Sequence, residues 1–205
     1  MALRKTKISE LPPSAVRLTR QEAIEYQNEA IEQWKPQYQM WPLKYGSFAL
    51  GTVSSASAVI INEYFRRALF LPKSSLFFIG MPIITVSSLT LTIIHHQLTT
   101  SNLLLMNTPC MPCMQGQTAL LLGFFGTVYP VLACSFGNMM QAQKLDTTYI
   151  PPLIKERKQF LQMCQKMIQK KSNLFTKSLV INVILAVMFT HYQQKAFFRF
   201  NQQDQ

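Results

Sequence analysis

Apolar positions along the chain gather into long stretches at residues 45–62, 76–94, 117–137 and 174–191, with polar blocks between them. The third reads QTALLLGFFGTVYPVLACSFG, 21 residues without a formal charge. At about 1.5 Å of rise per residue, ~20 such residues cross the hydrocarbon core of a bilayer. A surface helix of a soluble domain shows one apolar stripe, whereas this stretch is apolar or small all round. The pattern predicts an all-α, polytopic membrane protein with four transmembrane helices.

Two shorter helices are predicted outside these stretches. Thr19-Arg20-Gln21-Glu22 is a capping box, the signature of a helix start. At helical spacing Ala23, Ile24, Ala30, Ile31 and Trp34 share one face, and Glu22, Glu25, Glu29 and Glu32 share the opposite one. This amphipathic helix is either a surface element with a solvated acidic face or a docking helix for a basic partner, with the four glutamates and Trp34 as its surface. Pro36 ends it, and Trp41, Pro42 and Tyr45 suit an aromatic belt at the membrane boundary. The other helix lies between the third and fourth stretches. Phe160, Leu161, Cys164, Met167 and Ile168 form its stripe, with Lys155, Lys158, Lys166 and Lys170 away from it. It is expected to lie flat in the head-group layer or against a protein partner. The resulting division is an N-terminal polar segment (1–44), a four-span membrane domain (45–192) and a C-terminal tail (193–205). Phe197, Phe198 and Phe200 of that tail are expected at the membrane surface.

Details within the stretches refine the picture. Ser47, Gly51 and Ser55 recur every four positions, which permits close helix approach or hydroxyl bonds back to the same helix. Gly80 and Pro82 open the second stretch, and Tyr129-Pro130 sits in the third. A proline inside a span removes a donor, so a partner helix or a hydroxyl must satisfy the freed carbonyl. Lys177, one turn inside the fourth stretch, can snorkel to the interface.

Charge adds direction. Charged residues are only 14% of the chain and mean hydropathy is +0.09, yet net charge is +11. In a membrane protein this favours acidic partners or anionic lipid such as cardiolipin. No basic patch interleaves with aromatics, which excludes the recognised nucleic-acid modules. Residues 63–75 and 138–173 hold 10 Lys and Arg, among them Arg66 and Arg67, whereas the opposite side has Lys35, Lys44, Lys195 and Arg199 near the spans. The positive-inside rule then puts the basic connections in the cytoplasm or the mitochondrial matrix. Residues 1–15 carry Arg4, Lys5 and Lys7 with no acid before Glu10, a mild mitochondrial-targeting character. Pro12-Pro13 would stop a presequence helix, so an uncleaved tail is expected.

Candidate chemistry is sparse. No apolar stretch contains Asp or Glu, and no glycine-rich phosphate loop or nucleophile–His–acid set appears. No cofactor is expected. Cys110-x-x-Cys113 admits several states: a structural disulfide or local clip, unpaired thiols, a redox dithiol, or a zinc site shared with His95 and His96.

Four motifs occur in order on these elements. Asn62-x-x-Phe65-Arg66-Arg67 follows the first stretch and Gly80-Met81-Pro82 opens the second. Cys110-x-x-Cys113 precedes the third, and Gly126-x-x-Tyr129-Pro130-Val131 lies inside it. Over about residues 60–192 the chain thereby resembles the transmembrane protein 126 family of the mitochondrial inner membrane. The resemblance implies a non-enzymatic assembly factor for respiratory complex I, working in the mitochondrial complex I assembly (MCIA) complex. Its implied partners are other MCIA factors and hydrophobic membrane-arm subunits. The alternatives are a membrane thiol–disulfide oxidoreductase using Cys110 and Cys113, or a permanent accessory subunit of a respiratory complex.

Overall fold

The computed structural model describes residues 18–106, 110–151 and 156–203. Lys155, Pro109, Pro152 and the targeting-like residues 1–15 lie outside them. The described residues form helices α1 (Arg20–Gln33), α2 (Trp41–Ala68), α3 (Leu76–Leu104), α4 (Met111–Lys144), α5 (Arg157–Lys170) and α6 (Ser172–Gln203), with no strand among them. The fold is all-α.

Three of these helices, α3, α4 and α6, are long and apolar enough to cross a membrane. They extend beyond the apolar stretches that announced them into the polar residues on either side. The division at residue 193 is therefore corrected: residues 193–203 are the last turns of α6, not a separate tail. Phe197 and Phe200 are corrected with it. Their spacing puts both, with Ala196, on the inward face, where they are buried; of the expected surface aromatics only Phe198 is exposed.

α2 is less apolar than the other three, and its place in the bundle explains why. One face of it packs against α3, α4 and α6, while Tyr45, Phe48 and Ile60 on the other are more than half exposed. Its buried positions run Leu43, Ser47, Leu50, Gly51, Ser54, Ala58, Ile61, Asn62 and Phe65, the spacing of one helix face. A face packed on protein can carry small and polar residues, because neighbours and not lipid receive them. Contacts fix the directions. Ser47, early in α2, meets His95 and Thr100, late in α3. Gln115, early in α4, meets Gln194, late in α6. Asn62 meets Asn138, so α2 and α4 run in parallel.

Of the small-residue series in α2, Ser47 and Gly51 face the bundle. Ser55 turns back instead, its hydroxyl donating to the Gly51 carbonyl at 3.0 Å. Both prolines sit just after π turns, Leu76–Gly80 before Pro82 and Phe124–Val128 before Pro130. In a π turn the amide bonds five residues back, as Tyr129 does to Phe124. Pro130 has no amide to give the Phe125 carbonyl next in line. Ser54 of α2 and Ser87 of α3 supply it, both hydroxyls donating to that oxygen.

Candidate functional site

The bundle is polar inside and apolar outside. Ser54, Asn62, Ser87, His95, Thr99, Thr118, Asn138 and Thr190 have no measurable exposure, and Asn182 is nearly as buried. Most of them pair across helices, while Thr190 donates back to the Ala186 carbonyl of its own helix. Asn138 Nδ2 donates to Asn62 Oδ1 at 2.8 Å and to the Cys134 carbonyl. Asn182 donates to Thr127 Oγ1 and accepts from Ser57, each at 3.0 Å. Phe77, Phe78 and Leu89 on α3, Leu120 and Leu132 on α4, and Ile181 and Ile184 on α6 are each more than half exposed. A water-soluble bundle would invert this arrangement. Side chains so distributed can interlock a bundle in hydrocarbon and leave its outer faces for lipid or hydrophobic protein.

A short helix covers each end of the bundle. α1 starts on the capping box: Glu22 N–H donates to Thr19 Oγ1, and the Glu22 carboxylate accepts from Thr19 N–H at 2.7 Å. These bonds hold the Glu22 carboxyl below its ordinary range. Ala30, Ile31 and Trp34 pack on Met40, Leu43, Leu103, Leu104, Met114, Ala196, Phe197 and Phe200. Trp34 stacks at a tilt on Phe200, ring centroids 5.2 Å apart. Trp34 therefore faces the molecule and is no part of the outer acidic surface. Glu32 reaches Lys44 at 2.8 Å, a hydrogen bond that lowers the Glu32 pKa. Glu25 and Glu29 stand exposed on the outer face of α1.

At the other end α5 inserts Phe160 and Cys164 among Leu69, Leu71, Met139, Ala142 and Ile150. Tyr64 Oη donates to the Met167 carbonyl at 3.1 Å. The stripe expected on this helix thus divides: Phe160, Cys164 and Met167 turn to the bundle, and Leu161 is 60% exposed. Lys158, Lys166 and Lys170 are exposed and form no ion pair among the described residues. Arg66 and Arg67 differ from these lysines. Both pair with Glu63, at 2.7 and 2.6 Å, and Arg66 also donates to the Leu71 carbonyl, closing the end of α2. The two guanidinium groups hold the Glu63 carboxyl down at about 2. Arg67 remains largely exposed, while Arg66 is a clasp within the fold. Beside them Phe70, in a left-handed backbone conformation, and Tyr149 project at 80% and 84% exposure. Thr147 and Thr148 hold those two turns together through the Leu69 carbonyl.

The Cys110 and Cys113 sulfurs form a disulfide at the start of α4, and Cys110 Sγ accepts from Cys113 N–H as the helix cap. The other two cysteines are remote from it. Cys134 is buried in the bundle, and Cys164 turns to Met139 Sδ at 3.0 Å, where burial pushes its thiol pKa up. His95 points inward to Ser47 while His96 is exposed. Among the described residues no His, Cys, Asp and Glu side chains gather closely enough to hold a metal.

A family model described as Transmembrane protein 126 matches residues 21–204. The chain belongs to the transmembrane protein 126 family. A curated relative from Drosophila melanogaster, also named Transmembrane protein 126, is 24% identical over 201 residues, covering 97% of this chain and 90% of its own length. No solved structure matches.

In this member of the transmembrane protein 126 family, most of the motifs that carried the resemblance are devices of helix contact. Asn62 bonds Asn138 and lies against Gly80, where an added Cβ would come 2.6 Å from its amide nitrogen. Phe65 stacks on Phe175, and Gly126 admits Asn182 at 2.8 Å in the same manner. Pro82 and Pro130 follow the π turns. Only Cys110-x-x-Cys113 stands apart from the interior. Sequence reading missed the buried asparagine and serine contacts, although Asn182 inside an apolar stretch was a signal available to it.

Proposed function

We propose that the chain is a non-enzymatic assembly factor for mitochondrial respiratory complex I, a multi-pass protein of the inner membrane with α2 as its fourth span. It holds membrane-arm intermediates by adhesion, together with other factors of the MCIA complex. Family membership supports this reading, and one observation carries it. Most polar side chains of the bundle pair with one another inside, which leaves the outer faces of its helices apolar and open to hydrophobic subunits. The basic end is assigned to the matrix by the positive-inside rule, facing anionic lipid such as cardiolipin.

Deleting the gene and resolving complexes on native gels tests the role. Membrane-arm intermediates should accumulate, and unchanged complex I would refute it. The chain should run with those intermediates and not with the mature enzyme; co-migration with mature complex I would make it an accessory subunit. A Cys110→Ser/Cys113→Ser double variant separates adhesion from thiol chemistry. It should restore assembly, whereas failure to rescue at normal protein abundance would favour an oxidoreductase.

A further inference from the structure

We propose that an anionic phospholipid occupies a groove between α4 and α5, with an acyl chain lying in the groove and its phosphate among the lysines of α5. The groove has a volume of about 460 Å³, within the size range of ligand pockets. Tyr129, Leu132, Ala133 and Phe136 line it from α4, and Leu161, Cys164 and Ile168 from α5. It opens sideways: Leu132 and Leu161 remain 57% and 60% exposed along it. Ser135 borders it too, but its hydroxyl donates to the Leu132 carbonyl of its own helix at 2.9 Å. The Cys164 thiol is turned to Met139. The wall is therefore nearly all carbon and sulfur, and a polar ligand would lose water without gaining a partner. Hydrocarbon is the chemistry that fits.

The charge around the groove identifies what the hydrocarbon is attached to. Lys158 lies three residues before Leu161, and Lys171 three residues after Ile168. Lys158 thus stands about one turn before the groove-lining stripe, and Lys171 sits at the C-cap just past it. Both are exposed and neither forms an ion pair among the described residues. Arg157, Lys166 and Lys170 add the same sign on the same helix; against them stand Glu156 at its N-cap and Asp146 after α4, while Glu63 at the end of α2 already faces two arginines. An apolar slot bordered by unpaired cations at a bundle end matches a phosphate head group with its chain.

The inference deepens the lipid part of the proposed function and rests on the membrane reading of the bundle, not on any part played in complex I. The test uses the full chain in phosphatidylcholine nanodiscs containing a minor fraction of phosphatidylglycerol with a photoactivatable acyl chain. After illumination, mass spectrometry locates the labels. They should concentrate at residues 129–136 and 161–168, several-fold above the lipid-facing residues Phe77, Phe78 and Leu89 of α3. Lys158→Gln with Lys171→Gln should reduce labelling of the groove by about tenfold and leave α3 unchanged. Ala133→Phe, which fills the groove, should abolish labelling there for either head group. Even labelling of groove and α3, or equal groove labelling by the phosphatidylcholine analogue, would overturn the proposal. If Ala133→Phe does not fold, the ratio of the two lipid probes on the unaltered chain still decides. No complex I subunit is present in this assay, so normal complex I after gene deletion would leave the lipid site standing.

Discussion

The two ends of the bundle are covered by the same kind of element with opposite charge and different fastening. α1 brings an acidic outer face, and much of it is already engaged. Glu22 serves the helix cap, Glu32 serves Lys44, and Trp34 is laid on Phe200. Glu25 and Glu29 are the glutamates left facing outward. α5 is fastened mainly by its apolar stripe, and its lysines face outward unpaired among the described residues. The difference teaches which end can receive something. A partner of α1 meets a narrow acidic ridge, while a partner of α5 meets a field of free cations beside an apolar groove.

Changes at each end can break that contrast. The largest effect is expected from Phe160→Ala, because this side chain is wholly buried and anchors α5. Losing it should cost about 3–5 kcal/mol and raise hydrogen exchange throughout 157–170 while α1 stays protected. Unchanged exchange there would mean that α5 is held by something else. Trp34→Ala should matter less, about 2 kcal/mol, since part of the ring stays open to solvent. Exchange should rise in α1 and in the last turns of α6, and a response confined to α1 would contradict the Phe200 contact. Thr19→Ala removes the cap hydroxyl and should cost about 1 kcal/mol, seen as fraying of the first turn of α1.

The smallest effect is a pH response at the basic end. The arginines depress the Glu63 pKa in the folded chain. Its contribution is therefore complete above the ordinary carboxylate value of about 4.3 and lost as pH falls towards about 2. Hydrogen exchange around Leu71 should increase across that window in the unaltered chain and stay flat in Glu63→Gln. The same profile in both would detach the clasp from Glu63.

Much of this architecture was legible in the sequence. Three apolar stretches announced three helices fit to cross a membrane, and Thr19 with Glu22 announced the start of α1. The role of α2 was harder to read. Its serines and glycines lower its apolarity because one face packs on protein, and burial by neighbours leaves no periodic signal distinct from burial in lipid. The π turns were hidden because Pro82 and Pro130 announce a missing amide but not the five-residue bonding that precedes each of them. Phe197 and Phe200 looked like surface aromatics because Lys195 and Arg199 flank them. Helical spacing turns the aromatics inward and the charges outward. At the candidate sites, the Cys110 and Cys113 pair could be located but not its state, and the lysines of α5 could be counted without the groove beside them.

The Phe125 carbonyl has a consequence for how the molecule is made. Two hydroxyls from two different helices converge on one oxygen, so α4 inserted alone would carry a bare acceptor into oil. Both donors precede it in the chain. The hairpin of α2 and α3 thus holds both hydroxyls that this oxygen uses, so the third helix finds its missing donors only on the pair that comes before it.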